Sequence, residues 1–227
     1  MSTPIQIDII SDVMCPWCAI GYASLNKALQ SLPEVSARIQ WHPFELNPQM
    51  ADEGQNLREH LAEKYGSTSE QSQEIRERIT SMGADLGFEF NFSDEQRIFN
   101  TFDAHQLLSW AGELSQNPDW PDDLQTQLKL ALFTAYFRDG RDVSDRQQLL
   151  EIAAEVGLDQ QQSNDILQQQ HFVNEVRAEQ QQWQQMGIQS VPAVVLNNKY
   201  LVSGGQPVDV FIEALRKVVS ENDAPMA

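Results

Sequence analysis

The chain has 227 residues, with 15 Lys and Arg against 33 Asp and Glu, a formal net charge of −18 and a pI near 4.4. So acidic a balance excludes nucleic acid and anionic membrane surfaces as main partners, since both are held by clustered Lys and Arg. An apolar share of 41% excludes a disordered chain. At roughly 100 to 200 residues per domain, the length implies one large domain or two closely packed ones, with a core that needs no disulfide or metal staple. The first residues lack the basic and apolar regions of a secretory signal. The longest apolar run, residues 128–137, is about half of the roughly 20 residues that span a bilayer. It is also interrupted by Lys129. The expectation is a cytoplasmic protein with no membrane segment.

Ile5, Ile7 and Ile9 alternate with Gln6 and Asp8 as in a mostly buried strand, which Ser11 and Asp12 end. From Cys15 the period turns helical, with Ile20, Leu25, Ala28, Leu29 and Leu32 on one face before Pro33. Residues 37–44 alternate again around Ile39 and Trp41. Residues 55–186 then read as a succession of helices. Leu57 and Leu61 precede Gly66; Ile75, Ile79, Met82 and Leu86 precede Gly87; Ala104, Leu107, Leu108 and Ala111 precede Gly112. Each glycine is expected just past a helix end. Ser93 with Gln96, and Ser144 with Gln147, have capping-box spacing. Further helices use Leu124, Leu128, Ala131, Leu132 and Ala135, then Leu149, Ile152, Ala153 and Val156 before Gly157. The glutamine-rich stretches of residues 160–185 are interleaved with Ile166, Leu167, Val173, Val176 and Trp183, as on polar faces of surface helices. After Gly187, residues 191–196 and 200–202 form two short strands joined by an Asn197-Asn198-Lys199 turn. Pro207 opens a last helix with Val208, Phe211, Leu215 and Val218 on its face. The order is βαβ, a helical block, then ββα.

The only two cysteines lie in Cys15-Pro16-Trp17-Cys18, where the first strand hands over to the first helix. Pro16 suits the first helical position, which makes Cys15 the N-cap. A sulfur facing the unpaired N–H groups and the positive helix end favours thiolate, so Cys15 is the expected nucleophile. Cys18 lies one turn on, within disulfide reach and less exposed, as a resolving thiol would be. A zinc site would need two more ligands. His42, His60, His105 and His171 show no suitable spacing, so no metal is expected. A purely structural disulfide would close too small a loop to stabilise much. Asp12, just upstream, reads as a loop-capping residue, and Trp17 is expected to stand exposed beside the site. Pro192 after Val191 cannot donate to a sheet ladder, which makes it an edge, bulge or cis-turn position.

An ordered set of segments runs over nearly the whole chain: Ser11-Asp12 before the cysteines, Phe44-Glu45-Leu46-Asn47-Pro48, Asn100-Thr101 with Ala104-His105, Ala135-Tyr136-Phe137 with Gly140, Gly187-Ile188 with Val191-Pro192, and Val202-Ser203-Gly204. In these the sequence resembles the DsbA-like group of the thioredoxin superfamily, of the FrnE type. The resemblance implies an α/β thioredoxin-like fold with a large all-helical insertion. Residues 1–50 and 187–220 would form a discontinuous thioredoxin-like domain and residues 51–186 the inserted helical one. It implies a thiol-disulfide oxidoreductase or isomerase with Cys15, Cys18 and a cis Pro192 at its centre. Pro16, Trp17, Val191, Asn47 and His105 would contact substrate, Asn47 and His105 from the cleft wall. Partners would be protein or small-molecule thiols and disulfides, with no tightly held cofactor. Kappa-class glutathione transferases and 2-hydroxychromene-2-carboxylate isomerases are similar overall, and a glutathione-dependent transferase or isomerase is the alternative, with glutathione as cosubstrate. Those enzymes typically carry Ser at the position of Cys15, and Ser-Asp where this chain has Gly205-Gln206. A redox-inactive binding protein would leave the capping thiol unexplained.

Overall fold

The computed structural model describes residues 4–51 and 53–222. A four-stranded sheet orders its strands β2-β1-β5-β6. Strand β1 (Ile5–Ser11) runs parallel to β2 (Ala37–Pro43) and antiparallel to β5 (Ala193–Leu196), which pairs with β6 (Tyr200–Ser203). As an inner strand, β1 is buried on both faces apart from Gln6, so its polar Asp8 and Ser11 are buried along with its isoleucines. Ile5, Ile7 and Ile9 join the core that includes α1 (Pro16–Gln30) and α9 (Val208–Asn222). Ile10 packs with Trp183 of α8 (Val173–Gln185) on the opposite face. Ile10 pairs with both His42 and Ala193, and Ser11 pairs with Pro43. The segments following β1, following β2 and preceding β5 therefore converge at one end of the sheet, and the cysteines lie there.

Between β2 and β5 the chain forms α2 (Leu57–Tyr65), α3 (Ser69–Leu86), α4 (Phe102–Leu114), α5 (Leu124–Phe137), α6 (Arg146–Glu155), α7 (Gln160–Gln168) and α8. A two-residue ladder of β3 (Gln55–Asn56) with β4 (Arg97–Ile98), too short for any periodic signal, lies among them. Gly66 and Gly87 end α2 and α3 with φ of 67° and 83°, as expected of left-handed caps. Gly112 does not end a helix. It lies inside α4, where a Cβ would stand 2.8 Å from Gln125 Nε2. The missing side chain makes room for Gln125, whose amide accepts from Trp41 N at 2.9 Å and donates to Trp41 O at 3.0 Å and Leu108 O at 3.2 Å. That amide satisfies the outer edge of β2, as a further strand would.

Two capping expectations are corrected. Ser93 and Gln96 close a turn before β4, and the cap of α6 is Asp145, one residue beyond Ser144. The reciprocal capping box is Thr68 with Gln71, at the start of α3. The β5–β6 hairpin turns through Asn197 and Asn198, both at positive φ. Among the described residues no helix is long and apolar enough to cross a membrane.

Candidate active site

Asp12, Val13 and Met14 turn the chain out of β1 and Cys15 caps α1. Its backbone is extended, its carbonyl accepts from Cys18 N at 3.0 Å and Ala19 N at 3.4 Å, and Pro16 occupies the first helical position. The sulfur itself makes no capping hydrogen bond. It lies 3.7 Å from the Val191 carbonyl, toward which the thiol donates. The Val191–Pro192 peptide is cis. Pro192 packs on α1 where the helix has Gly21: a Cβ there would stand 3.2 Å from Pro192 Cγ.

Beneath Cys15 lies a buried charged cluster. Cys18 is 0% exposed. Hydrogen bonding to Cys18 and burial push the Cys15 thiol well above its ordinary range, and the Asp12 carboxylate adds to this. Burial also opposes charge on Cys18, yet the Cys15 and Ser11 hydrogen bonds and the field of Lys129 outweigh it, and the Cys18 thiol lies below its ordinary value. The surroundings thus disfavour the thiolate at Cys15, where the sequence led us to expect it, and favour it at Cys18. The reason is geometric: the Cys15 sulfur turns away from the first-turn N–H groups toward a carbonyl, and Cys18 has a buried ammonium nearby.

That ammonium is Lys129 of α5, 1% exposed, with Nζ 5.3 Å from the Trp41 ring centre and 5.1 Å from that of Phe133. Burial pushes it down to about 8, against the pull of Cys18, Asp12 and Cys15. Sequence reasoning noted Lys129 only as a break in an apolar run. The available signal was its place on a helix between Leu128 and Leu132, both fully buried. Asp12 is also buried, accepting from Leu46 N at 2.7 Å and Met14 N at 3.3 Å. Burial works against its charge, but His105, the Leu46 N–H and Lys129 prevail and hold the carboxyl below its usual value. Asp12 therefore braces the segment after β2 against the cysteine turn, more than the loop cap expected.

Above Cys15 opens a cleft of about 690 Å³, walled by the cysteine turn, the segment after β2, α2, α3 and residues 189–191. Cys15, Pro16, Trp17, Asn47 and Val191 all line it. Trp17 is half-buried, not exposed, with the Arg78 guanidinium 6.0 Å over its ring. Asn47 accepts from Lys64 Nζ at 2.7 Å. His105 is corrected: it is 1% exposed and not part of the cleft wall. Its Nε2–H donates to Phe44 O at 3.0 Å and stands 3.8 Å from Asp12 Oδ1, so it supports the wall from behind. Pro192 is buried behind Val191. Gly205 lies against Trp17, where a Cβ would be 3.1 Å from Trp17 O. Among the described residues no group of three or more His, Cys, Asp or Glu is placed to hold a metal ion.

Comparison with known proteins agrees with this geometry. The chain is 32% identical to a crystal structure described as a probable DsbA oxidoreductase from Streptomyces coelicolor, with a TM-score of 0.87 over 98% of this chain and 93% of that one. A 2-hydroxychromene-2-carboxylate isomerase shares the fold at 11% identity, with a TM-score of 0.71 over 98% and 100% of the two chains. The cytosolic disulfide reductase DsbM from Pseudomonas aeruginosa, solved with GSH, shares it at 16% identity, with a TM-score of 0.61 over 95% and 99%. The DSBA-like thioredoxin domain matches residues 6–216, and the chain belongs to that family of oxidoreductases.

Proposed function

We propose that this protein exchanges thiols and disulfides, with Cys15 as the attacking sulfur and Cys18 as its base and resolving thiol. One observation carries the reading: Cys15 lines the cleft, while Cys18 lies buried below it, hydrogen-bonded to Cys15 and with its thiol held below its ordinary value. Cys18 accepts the Cys15 proton as Cys15 attacks a substrate disulfide, and a mixed disulfide forms as one substrate thiolate leaves. Cys18 must then lose that proton to resolve the intermediate. The departing substrate thiolate takes it, and the Lys129 ammonium close by favours the Cys18 thiolate so formed. The Val191 carbonyl orients the Cys15 thiol. Glutathione serves as the thiol that returns the pair to the reduced state, in a reducing cytoplasm.

The test is Cys18→Ala, treated with a disulfide and then read by alkylation and mass. The expected result is a stalled mixed disulfide on Cys15 and loss of turnover. Undiminished turnover with glutathione would replace exchange by a glutathione-dependent transferase or isomerase.

A further inference from the structure

Resting on the exchange reading, we infer that the cleft takes a low-molecular-weight disulfide with one apolar arm and one arm bearing an amine or amide N–H. Cys15 is only 3% exposed, and the way to it is a cleft of about 690 Å³. That lies within the roughly 300–1,000 Å³ of small-ligand sites. A disulfide on a folded protein surface does not pass such walls, but a slender molecule does.

The lining indicates what kind of molecule. Leu57, Leu61 and Tyr65 of α2 face Ile75 and Ile79 of α3 across the opening. Tyr65 and Ile75 are 63% and 48% exposed, apolar surface left uncovered at the rim, and an apolar arm would cover it. Two other lining residues hold buried acceptor atoms with no hydrogen-bond partner in the protein: Glu45 Oε1 and His60 Nε2. The second Glu45 oxygen is taken by Arg177 and Gln180. Gln55 donates its amide N–H to Glu63 at 2.8 Å, which leaves its oxygen 2.8 Å from His60 Nδ1. Nδ1 therefore carries the hydrogen and Nε2 is a bare acceptor. These orphaned acceptors, Glu45 Oε1 in the segment after β2 and His60 Nε2 on α2, call for a ligand with N–H donors.

In one turnover, the Cys15 sulfur attacks the substrate disulfide and one arm leaves as a thiolate. Cys18 then attacks Cys15, and the second arm leaves. The protein loses two electrons and ends with a Cys15–Cys18 disulfide. The substrate gains them and ends as two thiols, one with the proton the cysteine pair gave up and the other with a proton from solvent. Further turnovers draw on a low-molecular-weight thiol as reductant.

The experiment is a single turnover of the reduced full chain with 2-aminoethyl benzyl disulfide, bis(2-hydroxyethyl) disulfide or insulin. It is followed by loss of free thiols, with each rate divided by the same probe's rate with dithiothreitol. The expected order places 2-aminoethyl benzyl disulfide at least tenfold above bis(2-hydroxyethyl) disulfide and insulin last. Ile75→Asp and Tyr65→Ser, both on the exposed rim, should each reduce the benzyl preference at least fivefold. Insulin reacting fastest, or an unchanged preference in both variants, would overturn the inference and leave exchange standing. If no probe oxidises the Cys15–Cys18 pair, exchange itself fails, and this inference with it.

Discussion

Replacing Lys129 by Met removes the buried ammonium and keeps the length of the side chain. Burial lowers the lysine from 10.5 to about 8. That difference of about 2.5 units, at about 1.36 kcal/mol each, is a penalty of about 3 kcal/mol for carrying the charge. The penalty applies in full below the folded value, because there the lysine is charged in both states. As pH rises from about 8 to 10.5 the folded lysine is neutral while the unfolded one still holds its proton, so the penalty shrinks, to about 1 kcal/mol by pH 10. Lys129→Met should therefore stabilise the reduced protein by about 3 kcal/mol at pH 7 and by about 1 kcal/mol at pH 10. Urea unfolding at the two pH values, read by tryptophan fluorescence, measures both. The same change should raise the Cys18 thiol, because the field that favours its charge is gone. Alkylation of the thiols near neutral pH should slow. Lower stability at pH 7 would show that Lys129 is a structural ion partner and would refute this reasoning. Unchanged alkylation would separate the lysine from the thiols.

Three further outcomes can be checked. Gly21→Ala puts a methyl 3.2 Å from Pro192 Cγ and 3.5 Å from Gly205 Cα. It should lower stability by about 1 kcal/mol and slow exchange, in urea titration and single-turnover assays; a neutral result would mean the Pro192 loop yields freely. Gly205→Ser meets Trp17 O at 3.1 Å and the Trp17 ring at 3.3 Å, so a Trp17 emission shift should accompany a loss of about 1–2 kcal/mol, and unaltered emission would count against the contact. His42 concerns pH. Burial opposes its charge, but hydrogen bonds to Asp8 and Glu179 prevail and hold its pKa above 6.5. The stability this contributes is complete below pH 6.5 and is lost as pH rises through the folded value. The urea midpoint of the wild type should fall relative to His42→Gln between pH 6 and 8.5; parallel midpoints would rule the contribution out.

The fold was legible wherever local rules suffice. The Ile5-Ile7-Ile9 alternation, the helix from Pro16 and the left-handed glycines at 66 and 87 depend on near neighbours. Gly112 has the same local pattern, yet its role is set by Gln125, thirteen residues on and on another helix, so no window of sequence could reveal it. The cysteine corner was legible for a similar reason: strand, turn, proline and thiols are contiguous. What sequence missed is the direction of the Cys15 sulfur, which is set by Val191 at 3.7 Å, far along the chain. His105 was singled out by motif and misplaced, because a motif does not distinguish a residue in the wall from one behind it. Lys129 was visible as a charge among apolar residues, but its partners come from other elements.

These long-range placements share one logic. The cysteine turn and the Val191 loop supply the sulfur and its orienting carbonyl, but the groups that set the charge beneath them come from elsewhere: Lys129 from α5, and His105 from α4, which leans on Asp12 and Phe44 O. The walls that admit substrate come from α2 and α3. A helix that only covered a thioredoxin-type sheet would need apolar residues at these positions, and a buried lysine would be a pure loss of about 3 kcal/mol. Its presence is accounted for if stability is exchanged for a Cys18 thiol that ionises more readily than an ordinary one. Variants that shift α4 or α5 without touching a cysteine should then alter thiol reactivity, while variants that shift α2 or α3 should alter which disulfide is accepted.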